Sequence, residues 1–218
     1  MDEVAIAIMA KAPIPGLAKT RLIPVLGEEG AARLQGRLLQ RTVIAALAAG
    51  TGPVALWATP DQQHPDIVAC QRIGSLALHA QPEGDLGYRM QWALLHGPAA
   101  DATLIIGTDC PALTPDMLRV AAERLSKNDA VLVPAEDGGY ALIGIRQRLR
   151  HAAPEVFTGI DWSSDKVLAQ TRQRMAALHW RVVELQTLWD IDTPADYQRL
   201  CVSYPEMTMG LVSGEAAE

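Results

Sequence analysis

Residues 4–22 read VAIAIMAKAPIPGLAKTRL, and the change of character at Lys11 decides the fold. Val4 to Ala10 is a short, apolar, partly β-branched run, which reads as a buried strand of an α/β sheet rather than a helix. Directly after it, Lys11, Lys19 and Arg21 gather around Gly16. In open α/β sheets ligands bind beyond the carboxyl ends of the strands, so this basic loop faces the expected site. Pro13 and Pro15 stiffen the turn, and Gly16 permits close backbone approach to an anion. The loop therefore suits phosphate; the plainer alternative is a surface turn whose cations are merely solvated. A Walker phosphate loop is excluded, because Ala18 and not glycine precedes Lys19-Thr20. A dinucleotide fingerprint is absent as well.

Working outward, Glu28 to Ala49 carries leucines at 34, 38 and 47 with arginines between them, the pattern of a helix with one buried face, stopped by Gly50 and Gly52. Strands are expected at 53–59, 76–80, 103–106, 130–134, 140–145 and 181–185. Between them, helices are expected near 65–73, over 87–96, and from Thr114-Pro115 to about Lys127, where a hydroxyl N-cap precedes proline at the first helical position. Ser163 or Ser164 can cap a helix to about Leu178, and Thr193-Pro194-Ala195-Asp196 starts a last helix with a capping-box-like pattern. This alternation predicts a single-domain, three-layer α/β/α fold around a mostly parallel sheet, spanning residues 1–204. Residues 205–218 carry weak pattern and are expected to be a C-terminal tail of no assigned role.

The chain of 218 residues is about half hydrophobic, enough to bury one full core. Its net charge of −6 argues against a nucleic-acid backbone as partner, whereas the local cations Lys11, Lys19, Arg21, Arg33, Arg37 and Arg41 suit a small anionic ligand. Cys70, Cys110 and Cys201 lack disulfide or zinc spacing, and neither a signal peptide nor a membrane-spanning stretch is evident. A cytoplasmic protein without membrane partners is expected, and a homodimer is compatible with this reading.

Acidic groups fall at other predicted strand ends. Asp109 follows an apolar strand, so it either ligates a metal at the carboxyl edge of the sheet or caps the following turn. Asp190 and Asp192 are two residues apart and face one side of an extended chain, around a metal or a lysine; alternatively Asp192 helps Thr193 cap the last helix. Asp137-Gly138-Gly139 joins two strands as an ordinary hairpin, or lets a sugar, acid or phosphate lie against bare backbone. Phe157 to Ser164 reads as an N-cap with a buried Trp162, or as part of an acceptor site at a helix N-terminus.

Taken together, KAPIPGLAKTRL (11–22), GTDCPALT (107–114), PAEDGGYALIGI (134–145), DWSSDKVL (161–168) and WDIDTPADY (189–197) resemble the nucleotide-diphospho-sugar transferase superfamily with the GT-A fold. They are closest to its GT-A-type glycosyltransferase branch, which is similar to the guanylyltransferases of phospholactate and molybdenum cofactor. The resemblance covers about Val4 to Leu200. It implies that Lys11, Gly16, Lys19 and Arg21 hold nucleotide phosphates, with Pro15, Thr20 and Thr108 beside them, and that Lys19, Arg21 and Asp109 are the catalytic groups. It implies Mg²⁺ (or Mn²⁺) on Asp109, completed by Asp190 or Asp192; the residues themselves add an acceptor site near Asp137, Gly138, Gly139, Trp162 and Ser163. Two departures stand out: prolines replace the glycines of Gly-rich nucleotidyltransferases, and Thr108-Asp109-Cys110 replaces the Asp-x-Asp of many glycosyltransferases. The expected activity is Mg²⁺-dependent transfer of a nucleotidyl or glycosyl group from a nucleoside triphosphate or nucleotide sugar to a small acceptor. The rival expectations are a nucleotide-binding regulatory module without turnover and a structural or interaction protein on the same scaffold.

Overall fold

Period-two alternation makes the first strand apolar on both sides. In β1 (Val4–Lys11), Ile6, Ile8 and Ala10 pack into one core cluster while Ala7 and Met9 pack into another. A strand of this kind must be covered on both faces, which places it in the middle of a sheet. The computed structural model, which describes residues 2–211, has this arrangement.

β1 pairs in parallel with β2 (Val54–Thr59) on one side and β4 (Ala102–Ile106) on the other, and β2 pairs in parallel with β3 (Ala77–Ala80). β5 (Ala130–Pro134) and β6 (Tyr140–Arg146) form the hairpin expected around Asp137-Gly138-Gly139, and β7 (Val182–Glu184) runs parallel to β5 at the edge. Among the described residues the sheet has seven strands in the order β3-β2-β1-β4-β6-β5-β7. β6 runs against its neighbours β4 and β5, so the sheet is mixed but mostly parallel.

The helices are α1 (Ile23–Ala49), α2 (Pro65–Ala69), α3 (Leu86–His96), α4 (Pro115–Leu125), α5 (Ala153–Phe157), α6 (Val167–Ala177) and α7 (Pro194–Ser203). α1, α2 and α4 bury Leu39, Val43, Ile67 and Leu118 against the Ile6 face of the sheet. On the opposite face, α3, α5 and α6 bury Met90, Val156, Phe157 and Met175. A third apolar cluster joins the start of α1 to α7 through Leu26, Leu34, Tyr197 and Leu200. The result is one three-layer α/β/α domain, and no helix among the described residues is long and apolar enough to cross a membrane.

Three differences from the sequence reading have physical causes. Neither Ser163 nor Ser164 caps α6: Ser163 adopts a left-handed backbone (φ 66), and Ser164 Oγ donates to the Asp161 carbonyl and accepts from Lys166 N–H. This closes a local turn, and the helix begins only at Val167. The short helical stretch 147–157 has no amphipathic period to announce it. Finally, residues 205–211 belong to the packed domain rather than to a tail, because Met207 and Leu211 are buried in the third cluster; residues 212–218 of that expected tail lie outside the described residues.

Candidate active site

The loop after β1 folds on its own backbone: the Ile14 carbonyl accepts from both Leu17 and Ala18 N–H. Gly16 stands at φ 76, a conformation that side chains disfavour, and a Cβ there would lie 3.5 Å from the Glu28 carboxylate. Ala18 and Leu22 are fully buried and anchor the loop's far end. Between them Lys19 takes a left-handed backbone (φ 48), and its side chain is only 5% exposed although it is a lysine. The ammonium is buried because it is paired: Nζ lies 2.5 Å from Asp109 Oδ1 and donates to the Ile191 carbonyl at 2.5 Å. Lys11, Pro15, Thr20 and Arg21 are exposed along the same loop.

Asp109 projects beyond β4 with its carboxylate half exposed, while its neighbours Thr108 and Cys110 are buried. Ile191 N–H donates to the Asp109 carbonyl, which brings the Trp189-Asp190-Ile191-Asp192 segment alongside. Asp190 and Asp192 then diverge. Asp192 pairs with Arg21, whereas half-buried Asp190 lies within the electrostatic reach of Asp137, Asp109 and Lys19. Burial raises the Asp190 carboxyl to about 6, the charges of Asp137 and Asp109 push the same way, and a backbone hydrogen bond and Lys19 oppose them. Asp109 and Asp190 thus lie within reach of the buried Lys19, and Asp137 adds its negative charge to Asp190 from the neighbouring turn. Among the described residues no three His, Cys, Asp or Glu side chains are gathered closely enough to enclose a metal ion unaided.

The predicted acceptor residues are partly brought together. Asp137 Oδ1 accepts from Gly139 N–H, and the Gly138 carbonyl accepts from Leu168 N–H, which docks the 137–139 turn on the start of α6. A Cβ at Gly138 would lie 2.2 Å from the Asp165 carbonyl oxygen. The bare backbone expected to receive a ligand at Gly138 is therefore taken by the chain's own Asp165. Trp162 is half-buried against Gly87 of α3, and Ser163 is exposed.

Two supporting residues escaped the sequence reading. Gln35 of α1 is buried, and its Nε2 donates to the Lys11 carbonyl at 3.2 Å and to Thr108 Oγ1 at 3.1 Å. It ties the end of β1 to the end of β4 and turns Thr108 inward. The signal was a glutamine beside Leu34 and Leu38 on the buried stripe of an amphipathic helix. Arg199 of α7 pairs with Glu136 at 2.8 Å and lies 4.4 Å over the Trp189 ring, joining the 136–139 turn to the Asp190 segment. Gln35→Leu strands Thr108 Oγ1 and the Lys11 carbonyl without this donor and is expected to destabilise by about 2 kcal/mol. Urea unfolding measures it; a change below about 0.5 kcal/mol would mean that the bridge carries no stability.

The family model described as "Uncharacterized protein conserved in bacteria (DUF2064)" matches residues 42–164. No functionally curated protein matches the chain. A protein from Desulfovibrio desulfuricans G20, proposed to be a nucleotide-diphospho-sugar transferase, is 30% identical with a TM-score of 0.80, over 94% of this chain and 90% of that one. More distant structures share the fold. A nucleotidyl transferase from Methanothermobacter thermautotroptrophicus is 14% identical (TM-score 0.63, 91% of this chain and 95% of that one). Rv0371c from Mycobacterium tuberculosis H37Rv, in complex with manganese, is 15% identical (TM-score 0.55, 93% of this chain and 100% of that one). The likeness to nucleotide-diphospho-sugar transferases thus extends over nearly the whole chain.

Proposed function

The chain belongs to the DUF2064 family, and on that premise we propose that it is a divalent-cation-dependent transferase using a nucleoside triphosphate as donor and a small molecule as acceptor. The observation that carries this reading is the buried Lys19 ammonium paired with Asp109 beside Asp190, whose carboxyl also feels the charge of Asp137. Neighbouring carboxylates beside a buried ammonium, one of them raised to about 6, form an arrangement that a ligand of mixed charge completes. A phosphate chain with its divalent cation is such a ligand.

Asp109 and Asp190 are the hard oxygen donors that would hold Mg²⁺ or Mn²⁺, with phosphate and water supplying the other positions. When bound, the cation neutralises phosphate oxygens and favours the build-up of charge on the leaving group. Lys19 already stands beside Asp109 and would stabilise the same charge as it develops. Arg21 is exposed and can leave Asp192 for a phosphate oxygen, with Lys11 and the Gly16 backbone on the same loop. Asp137 faces Asp190 and would bind an acceptor hydroxyl. The acceptor itself attacks, since burial pushes the nearby Cys110 thiol up to about 12 and leaves it protonated and inert.

Nucleotidyl transfer is favoured over glycosyl transfer because Thr108 and Cys110 are both buried, so Asp109 alone of that triplet faces the ligand. The second reading, transfer of a sugar, is supported by the proposed activity of the Desulfovibrio relative. Thermal unfolding against nucleoside triphosphates and nucleotide sugars, each with and without Mg²⁺ or Mn²⁺, tests the site. A bound ligand at a hundred times its dissociation constant stabilises by about 2.7 kcal/mol. Pyrophosphate release would then identify nucleotidyl transfer and nucleoside diphosphate release glycosyl transfer. Binding without turnover would leave a regulatory module, and no shift with any ligand would sink the reading in favour of an interaction protein.

A further inference from the structure

The segment that follows α7 is held by a ladder of arginines on α1. Arg33, Arg37 and Arg41 recur every four residues and so share one helix face. Arg33 Nη2 donates to the Leu211 carbonyl at 2.7 Å, Arg37 Nη1 to the Met207 carbonyl at 2.9 Å, and Arg41 Nε to the Pro111 carbonyl at 2.8 Å. The Arg41 guanidinium also lies 4.6 Å over the Tyr204 ring. At the far end the Leu211 carbonyl comes so close to α1 that a Cβ at Gly30 would lie 2.6 Å from it.

What lies under this strap gives the ladder its meaning. Met207 and Leu211 share one apolar cluster with Leu22, which ends the Lys19–Arg21 turn, and with Trp189 and Ile191, which flank Asp190. Tyr204 lies against Trp189 with ring centroids 6.3 Å apart. Arg41 reaches the carbonyl two residues beyond Asp109. The Lys19–Arg21 turn, the Asp190 segment and the Asp109 loop therefore all rest on elements that the strap or its ladder touches. Close-packed interiors transmit a displacement of one wall to the others.

We propose that Arg33 and Arg37 are positioning residues: by fastening Tyr204–Leu211 onto α1 they hold the Lys19–Arg21 loop and the Asp190 segment at the separation that the Lys19–Asp109 pair requires. The effect on ligand binding rests on the transferase reading; the coupling of strap to loops does not. Loss of both arginines frees two carbonyls from charged donors and lets the strap open, so the loops that share its cluster open with it.

The test is amide hydrogen exchange, residue by residue, on the full chain and its R33A/R37A variant. Four amides report: Leu211 on the strap, Leu22 (bonded to the Lys19 carbonyl), Ile191 (bonded to the Asp109 carbonyl), and Ile6 (bonded to the Pro53 carbonyl) as a control in β1. About tenfold faster exchange at Leu211, Leu22 and Ile191 together, with Ile6 unchanged and partial recovery in R33K/R37K, is the expected result. Acceleration at Leu211 alone would overturn the coupling, and so would equal acceleration at Ile6, which would mean general destabilisation. In parallel, half-saturation by ATP or GTP with Mn²⁺ should rise about tenfold in R33A/R37A. If the unaltered protein binds no nucleoside triphosphate and no nucleotide sugar, the transferase reading fails while the exchange experiment still decides the coupling.

Discussion

Lys19→Ala is expected to lower the transfer rate by about 10²–10³-fold, the loss typical of removing one fixed donor from a site of developing negative charge. Lys19 is placed for this by its left-handed backbone and by two partners, Asp109 and the Ile191 carbonyl, which hold its ammonium at the meeting point of the loops. The same substitution removes the cation that now offsets the carboxylates. Mn²⁺ alone should therefore bind as well or better in Lys19→Ala, while nucleotide with Mn²⁺ binds worse. Opposite signs for the two ligands separate loss of a phosphate contact from loss of the fold, which would weaken both. Titration of thermal midpoint with each ligand, together with single-turnover rates, checks this. A near-normal rate would remove Lys19 from the mechanism.

Asp190→Asn should change the pH dependence of stability and of cation binding together. The folded Asp190 carboxyl stands at about 6 against an ordinary value of 3.8, so the folded state holds this proton more tightly than the unfolded state does. The stabilising contribution of that proton is complete below 3.8 and is lost as pH rises through about 6. At pH 7 and above the ligand-free protein therefore carries an uncompensated charge, worth about 1–2 kcal/mol after allowing for the group's part exposure. Asp190→Asn should be more stable than the unaltered protein at pH 8 by that amount, and the gain should vanish near pH 4. Divalent cation should do the reverse. In the unaltered protein the stabilisation by Mn²⁺ should grow between pH 5 and 7 as the carboxylate forms, and in Asp190→Asn it should be small and flat. Urea unfolding at several pH values, with and without Mn²⁺, reads both effects. A pH-independent difference would mean that Asp190 is not the group that titrates at this site.

The local pattern made most elements legible. The Val4–Ala10 run, the capping box at Thr193 and Asp196, the proline after Thr114 and the hairpin glycines all act over a few residues, and each element they announce is present. Where a local rule competed with another local bond, as at Ser163 and Ser164, the reading placed the helix start too early. The turn at Gly138 illustrates a different limit. Glycine signals a close approach, but only packing shows that the approaching group is the Asp165 backbone.

The site divides in the same way. Residue type and position after an apolar strand singled out Lys19, Arg21, Asp109, Asp190 and Asp192, because the alternation that builds a parallel sheet also puts its loops at one edge. By itself, then, the sequence determined a three-layer α/β/α domain with cations and carboxylates on one rim. Only the tertiary structure decided that Lys19 pairs with Asp109 while Arg21 takes Asp192, that Gln35 ties β1 to β4, and that Met207 and Leu211 share an apolar cluster with residues of the loops. These contacts join residues far apart in the chain. No periodicity encodes them, and they follow from which surfaces close-pack once the sheet has assembled.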